Sequence, residues 1–257
     1  MSSKPIIVAN PGELGSLVAR RIVDAMIRAA SGPFLLGCPT GRTPEPVFPQ
    51  LAGLLAEANV DVSRLVVVLM DEYLDRDQRS FSLVDPALDY SCVGYAERFI
   101  VKPILDATGV APQVWHAEPD DPANYDAQLR EAGGIDLFLL ASGASDGHVA
   151  FNPQGVGRDS ITRVIELPEL TRRDNVATWP TLDSIDQVPE WGISVGISTI
   201  VDLSREAIMM LTGTDKRRAY DRITSARAYE PDWPATCVNA IENHLVIADR
   251  LAAGKTE

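Results

Sequence analysis

The sequence predicts an α/β fold: a doubly wound, mostly parallel sheet flanked by helices, Rossmann-like in outline, in a single domain over residues 1–257. Three observations predict it. Short aliphatic and β-branched runs alternate with amphipathic stretches from end to end, which is the pattern of successive βα units. The run Leu65 to Met70 is apolar at every position, as a strand covered on both faces must be. No Ser/Gly tract, charge block or repeat marks a linker, so one domain is expected.

Taken in order, Ile6 to Ala9 is the first expected strand. Asn10, Pro11 and Glu13 then supply an N-cap, a first-turn proline and a capping-box acid. Leu14, Val18, Ile22 and Met26 follow at helical spacing on one face. Phe34 to Gly37 is a second strand, running into the loop Cys38-Pro-Thr-Gly-Arg-Thr-Pro44. Thr43 can cap and Pro44 can start the next helix, with Val47, Phe48, Leu51 and Leu55 on its inner face. Further strands are expected at Gln113 to His116, Ile135 to Leu140, Ile193 to Gly196, Ala207 to Leu211 and His244 to Ala248. Helices are expected at Tyr90 to Lys102, Ala123 to Glu131 and Asp215 to Thr224. Residues 152–191 carry several prolines and mixed polarity, and read as a lid or insertion over the sheet edge.

Composition narrows the function classes. Hydrophobic residues make up 46% of the 257 and aromatics 6%, a globular mixture without signs of disorder. The formal charge of -13 argues against nucleic-acid binding, which needs clustered Lys and Arg. The same charge repels an anionic substrate at long range, so a phosphate site must be built locally from backbone amides and a few placed cations. Cys38, Cys92 and Cys237 are scattered and form no CxxC pair, which fits a reducing compartment. The N-terminal MSSKPIIVAN lacks a charged segment followed by a long apolar one, and no apolar run nears the roughly 18 residues that span a bilayer. A cytoplasmic protein with no membrane partner is expected.

Ligands of open α/β sheets bind beyond the carboxyl ends of the strands, and four polar segments stand there. In Pro39-Thr-Gly-Arg-Thr-Pro44, a Gly among hydroxyls at a helix start exposes amides that suit a phosphate. Thr40, Gly41, Arg42 and Thr43 are therefore candidate phosphate-binding residues, although the segment alone reads equally as a capped turn. Asp71-Glu72-Tyr73 follows a buried strand, where desolvation raises a carboxyl into the range of a proton shuttle. The loop Ala141-Ser-Gly-Ala-Ser-Asp146-Gly-His148 is rich in small residues, Gly143 among them, that let backbone approach a ligand. In it Asp146 can orient the imidazole of His148. Leu211-Thr-Gly-Thr-Asp-Lys216 places Lys216 near a helix start as a mobile cation for an anion. His116 and His244 lie in expected strands without acidic partners at metal-ligand spacing and read as structural. GxSxG, HExxH, GxGxxG and the Walker loop are all absent; no metal and no cofactor are expected.

Together the pieces GCPTGRTP, MDEY, DYSCVGYAERF, SDGHVAFN, SVGISTIVD and LTGTDK resemble, in order and spacing, the glucosamine-6-phosphate deaminase and 6-phosphogluconolactonase superfamily. MDEY and DGHxAFN lean to the deaminase/isomerase branch. The resemblance implies that Asp71 moves a proton between C2 and C1 of an open sugar. It implies that His148, supported by Asp146, helps open the ring, and that Thr40 to Thr43 and Lys216 hold phosphate. It also implies an enzyme without a metal, and a homo-oligomer. Two departures stand out. Pro153 occupies the position where the deaminase pattern has Glu, and an expected phosphate-gripping Arg falls on Ala177 or Trp179. Arg42 stands where the family more often has Gly.

The leading expectation is an isomerase/deaminase of a hexose 6-phosphate or amino-hexose 6-phosphate, acting by proton transfer between C2 and C1. The alternative is lactone hydrolysis of the 6-phosphogluconolactonase type, with His148 activating water. Third is a sugar-phosphate-binding protein without catalysis.

Overall fold

The computed structural model describes residues 4–29, 31–179 and 181–255. Residues 1–3 of the N-terminal stretch read for a leader, and residue 180 within the lid candidate, lie outside the described residues.

The parallel sheet is made of β1 (Ile6–Val8), β2 (Phe34–Cys38), β3 (Leu65–Leu69), β6 (Gln113–Trp115), β7 (Leu137–Ala141), β10 (Ala207–Leu211) and β11 (His244–Asp249). Its order is β1-β11-β10-β7-β2-β3-β6, and every pairing is parallel. From β2 the chain winds outward through β3 to β6; from β7 it winds the other way through β10 to β11. The order therefore reverses between β2 and β7, and the loops leaving those strands flank the crevice where such folds bind ligands.

Alternation along each strand feeds two cores, one on each face. Leu36, Leu65, Val67, Leu69, Leu137, Leu139, Ile208 and Met210 point to one side. Leu35, Val66, Val68, Phe138, Leu140, Met209 and Leu211 point to the other. The first face is covered by α1 (Pro11–Arg28), α2 (Val47–Ala58) and a helix built from α3 (Cys92–Ala96), a π-turn over Glu97–Val101, and α4 (Lys102–Thr108). The second is covered by α5 (Pro122–Glu131), α7 (Ile197–Leu203), α8 (Arg217–Ser225) and a 3-10 turn at Pro234–Ala240. Strands buried on both sides explain the unbroken apolar runs.

Local signals act as expected at α1: Asn10 Oδ1 accepts from Glu13 N at 3.0 Å, while Glu13 Oε2 accepts from Ala9 N. The start of α2 differs from expectation. Residues 42–46 form a turn, α2 begins only at Val47 after Pro46, and no side chain caps it. Two prolines around Glu45 allow the helical ladder to begin only after the second. Thr43 is thereby released from capping. The helix expected to end at Lys102 continues to Thr108, because the π-turn accommodates Pro103.

The largest departure is a second, antiparallel sheet in the order β5-β4-β9-β8. It comprises β4 (Asp71–Arg76), β5 (Phe81–Leu83), β8 (Arg163–Glu166) and β9 (Trp191–Ser194). Asp71-Glu72-Tyr73, expected as a loop, is the start of β4, and the strand expected at Ile193 belongs to β9 of this sheet. Residues 152–191 contribute β8 and α6 (Glu169–Val176) to the body of the fold. No helix among the described residues is long and apolar enough to cross a membrane.

Candidate active site

A cavity of about 600 Å³ opens at the carboxyl edge of the parallel sheet. Its wall includes Thr40, Gly41, Arg42 and Thr43 after β2, Asp71 after β3, Gly143 and His148 after β7, and Lys216 after β10. The structure thus brings these sequence-derived candidates to one space. Asp146 does not line it; it lies behind His148, 3% exposed.

Asp71 is partly open to the cavity and otherwise enclosed by protein. Burial, reinforced by the neighbouring Glu72 carboxylate, pushes its carboxyl up to about 7, against the smaller opposing effects of the Cys92 thiol and the His148 imidazole. Glu72 points the other way and is 1% exposed. It accepts from Tyr73 N and Cys92 N through Oε1, and from Val93 N and the Ser91 hydroxyl through Oε2. A carboxylate at a helix N-terminus satisfies otherwise orphaned amides. One acid of the pair is structural and the other faces the ligand space.

The loop after β7 is shaped to present the imidazole. Asp146 Oδ1 accepts from His148 N at 3.0 Å and lies 2.7 Å from His148 Nδ1, while Oδ2 accepts from the Thr171 hydroxyl at 2.8 Å. Burial by itself raises the Asp146 carboxyl, but the His148 contacts and Thr171 outweigh it and hold the group well below the ordinary carboxylate range. An ionised Asp146 requires Nδ1 to carry the proton, which leaves Nε2 free for a ligand. Close packing dictates the glycines here. A Cβ on Gly143 would lie 2.3 Å from His148 Nδ1, and Gly147, at φ +70°, rests on the Trp233 ring. The turn after His148 is closed by Asn152, whose Nδ2 donates to Val149 O and Val195 O.

On the anion side, Gly41 adopts φ +93° and its carbonyl accepts from the Tyr95 hydroxyl at 3.0 Å. Lys216, expected as a mobile cation, is instead held: its side chain is 14% exposed and Nζ donates to Ser142 O at 2.8 Å. Burial lowers its affinity for a proton, with Asp215 and Asp174 opposing and Arg42 adding to the effect. Arg42 is exposed at the cavity mouth. The two cations offset locally the negative charge of the whole chain.

Ala177 and Trp179, the positions on which the expected phosphate-gripping Arg falls, line the cavity from the end of α6. Asp174, Asn175 and Thr178 reach it from the same segment, and nothing in the sequence singled them out. Asp174 accepts from Ala144 N, Ser145 N and the Ser145 hydroxyl. Oxygens of Asp146 and Asp174 and a nitrogen of His148 lie within 4.8 Å of one another, a donor set of metal-ligand type. The hydrogen bonds just described engage both carboxylates. His116 and His244 lie away from this cavity wall; His116 Nδ1 lies 3.4 Å from Glu118, and His244 Nδ1 lies 2.6 Å from Ile241 O.

The chain is similar to known proteins along nearly its whole length. The family model described as glucosamine-6-phosphate isomerases/6-phosphogluconolactonase matches residues 9–247. A glucosamine-6-phosphate isomerase of Candida albicans is 31% identical, over 96% of this chain and 96% of its own. A glucosamine-6-phosphate deaminase of Rhodococcus jostii is 33% identical, over 98% of this chain and 92% of its own. Among solved structures, a monomeric glucosamine-6-phosphate deaminase matches with a TM-score of 0.81 at 26% identity, covering 98% of this chain and 99% of that one. A 6-phosphogluconolactonase from Thermotoga maritima, at TM-score 0.68 and 17% identity over 96% of this chain and 100% of that one, shares the fold. On sequence and fold alike, the chain belongs to the family of glucosamine-6-phosphate isomerases and 6-phosphogluconolactonases.

Proposed function

We propose that the protein is an isomerase/deaminase of an amino-hexose 6-phosphate, glucosamine 6-phosphate being the substrate its relatives suggest. The observation that carries this reading is a carboxyl, Asp71, pushed up to about 7 in the same cavity as a His148 imidazole backed by Asp146. A general base works best when its pKa lies near the working pH, and a C2 proton next to a C1 aldehyde is the proton such a base can remove.

The steps follow from this placement. The phosphate sits against the amides and hydroxyls of Thr40 to Thr43, with Lys216 and Arg42 as counter-charges. His148, through Nε2, carries a proton from the C1 hydroxyl to the ring oxygen and so opens the sugar. Asp71 takes the C2 proton and returns it to C1, while the aldehyde oxygen gains the proton that the amino group gives up. The C2 imine that results adds water and releases ammonia, leaving a ketose 6-phosphate. Residues 152–191, through α6, cover the bound sugar on this reading.

One observation favours a second reading. Pro153 stands at the deaminase Glu position, and lactone hydrolysis by a His148-activated water needs neither that Glu nor a C2 base. Turnover assays separate the two. Glucosamine 6-phosphate should yield equal amounts of ammonia and fructose 6-phosphate. Hydrolysis of 6-phosphogluconolactone with no action on the amino sugar contradicts the main reading.

A further inference from the structure

Cys92 opens α3 and joins two parts of the cavity wall. Its Sγ is a donor 3.6 Å from Asp71 Oδ1 and lies 3.3 Å from Thr40 Oγ1. This is a fixed placement. Cys92 N donates to Glu72 Oε1 at 2.9 Å, and the flanking Ser91 hydroxyl and Val93 N donate to Glu72 Oε2 at 2.9 and 2.7 Å. Glu72 is the chain neighbour of Asp71, so the peptide carrying the thiol is pinned to the peptide carrying the carboxyl. The side chain is 1% exposed. Burial, with Glu72 and Asp71 beside it, holds the thiol well above its ordinary range, so the sulfur keeps its proton and serves as a donor.

Resting on the reading of Asp71 as the proton carrier, we propose that Cys92 is a positioning residue for it: the S–H group holds the Asp71 carboxylate in place at the cavity wall and ties it to Thr40 of the anion loop. The choice of sulfur has a chemical consequence. A thiol is a weaker donor than a hydroxyl, so it orients the carboxylate while doing little to hold it ionised. A stronger donor favours the charged form and makes a poorer base.

Cys92→Ser and Cys92→Ala bracket this donor with small changes of volume. The readouts are the acidic limb of kcat/KM for glucosamine 6-phosphate and a carbon-13 NMR titration of the Asp71 carboxyl. Ser should move both to lower pH and Ala should move both to higher pH, each by roughly half a unit, as expected for one weak hydrogen bond to a charged group. A titration that stays put, or that moves the same way in both variants, overturns the proposal. If the Ala variant does not fold, the near-isosteric Ser variant decides alone by the same titration. NMR reads Asp71 without turnover. An Asp71→Asn variant that keeps activity therefore sinks the proton-carrier reading, while the titration still judges the Cys92 contact.

Discussion

Asp146 and His148 are locked twice over: one carboxylate oxygen meets both the backbone N–H and Nδ1 of the histidine two residues on. That double contact sets the tautomer and the ring plane together, and the glycine at 143 leaves the space for it. Asp146→Asn should lower kcat/KM by about 10²-fold, the scale of a misoriented acid–base group. The folded carboxyl lies below its ordinary value of 3.8, so its stabilisation is present above that pH and is lost as pH falls through the folded value. Thermal melts should show the variant less stable than the parent at pH 7, with the gap closing below about pH 4.

Asp71 carries the opposite sign. A carboxyl near 7 when folded and near 3.8 when unfolded binds its proton more tightly in the folded state, so it costs stability as pH rises from about 4 to 7. Asp71→Asn should therefore raise stability at pH 8 by roughly 1–2 kcal/mol, the cavity mouth screening part of the effect, and change little at pH 4. A gain of that kind at a catalytic position is the usual trade of stability for activity.

The same substitution should lower kcat by at least about 10³-fold while the dissociation constant for glucosamine 6-phosphate stays within about threefold. Single-turnover kinetics with calorimetric binding would check it. In the parent, kcat/KM should fall about tenfold per pH unit below the Asp71 value near 7, as the base becomes protonated.

Lys216 and Arg42 should separate in strength. Lys216 is 14% exposed on its side chain and fixed by Ser142 O, whereas Arg42 is exposed. Lys216→Ala should raise KM about 10–100-fold with a small change in kcat; Arg42→Ala should raise it only about threefold and lose most of that effect in high salt. Inhibition by inorganic phosphate should weaken in the same order.

Much of the fold was legible because strands buried on both faces leave unbroken apolar runs, as at Leu65 to Leu69 and Ala207 to Leu211. The second sheet was not. Asp71 and Glu72 begin β4 as polar residues held by pairing to β9, more than a hundred residues away, and no local pattern encodes that. No element is expected over Ile197–Leu203, whose β-branched residues suit a helix poorly, yet packing makes it α7. At the site, Asp71, Asp146, His148 and Lys216 stood out because each follows an apolar strand. Asp174 did not, because α6 has a polar sequence without apolar periodicity. Cys92 did not either: its meeting with Asp71 depends on Glu72 gripping the start of α3.

Solvent exchange is the most direct probe of the claim that a carboxylate and an imidazole act over one open sugar. Turnover of glucosamine 6-phosphate in heavy water, followed by proton NMR of the ketose phosphate, should place deuterium at C1 in wild-type protein and give no product with Asp71→Asn. Product free of deuterium at C1 under conditions where the Asp71 carboxyl exchanges with solvent, or undiminished product from Asp71→Asn, would contradict the account.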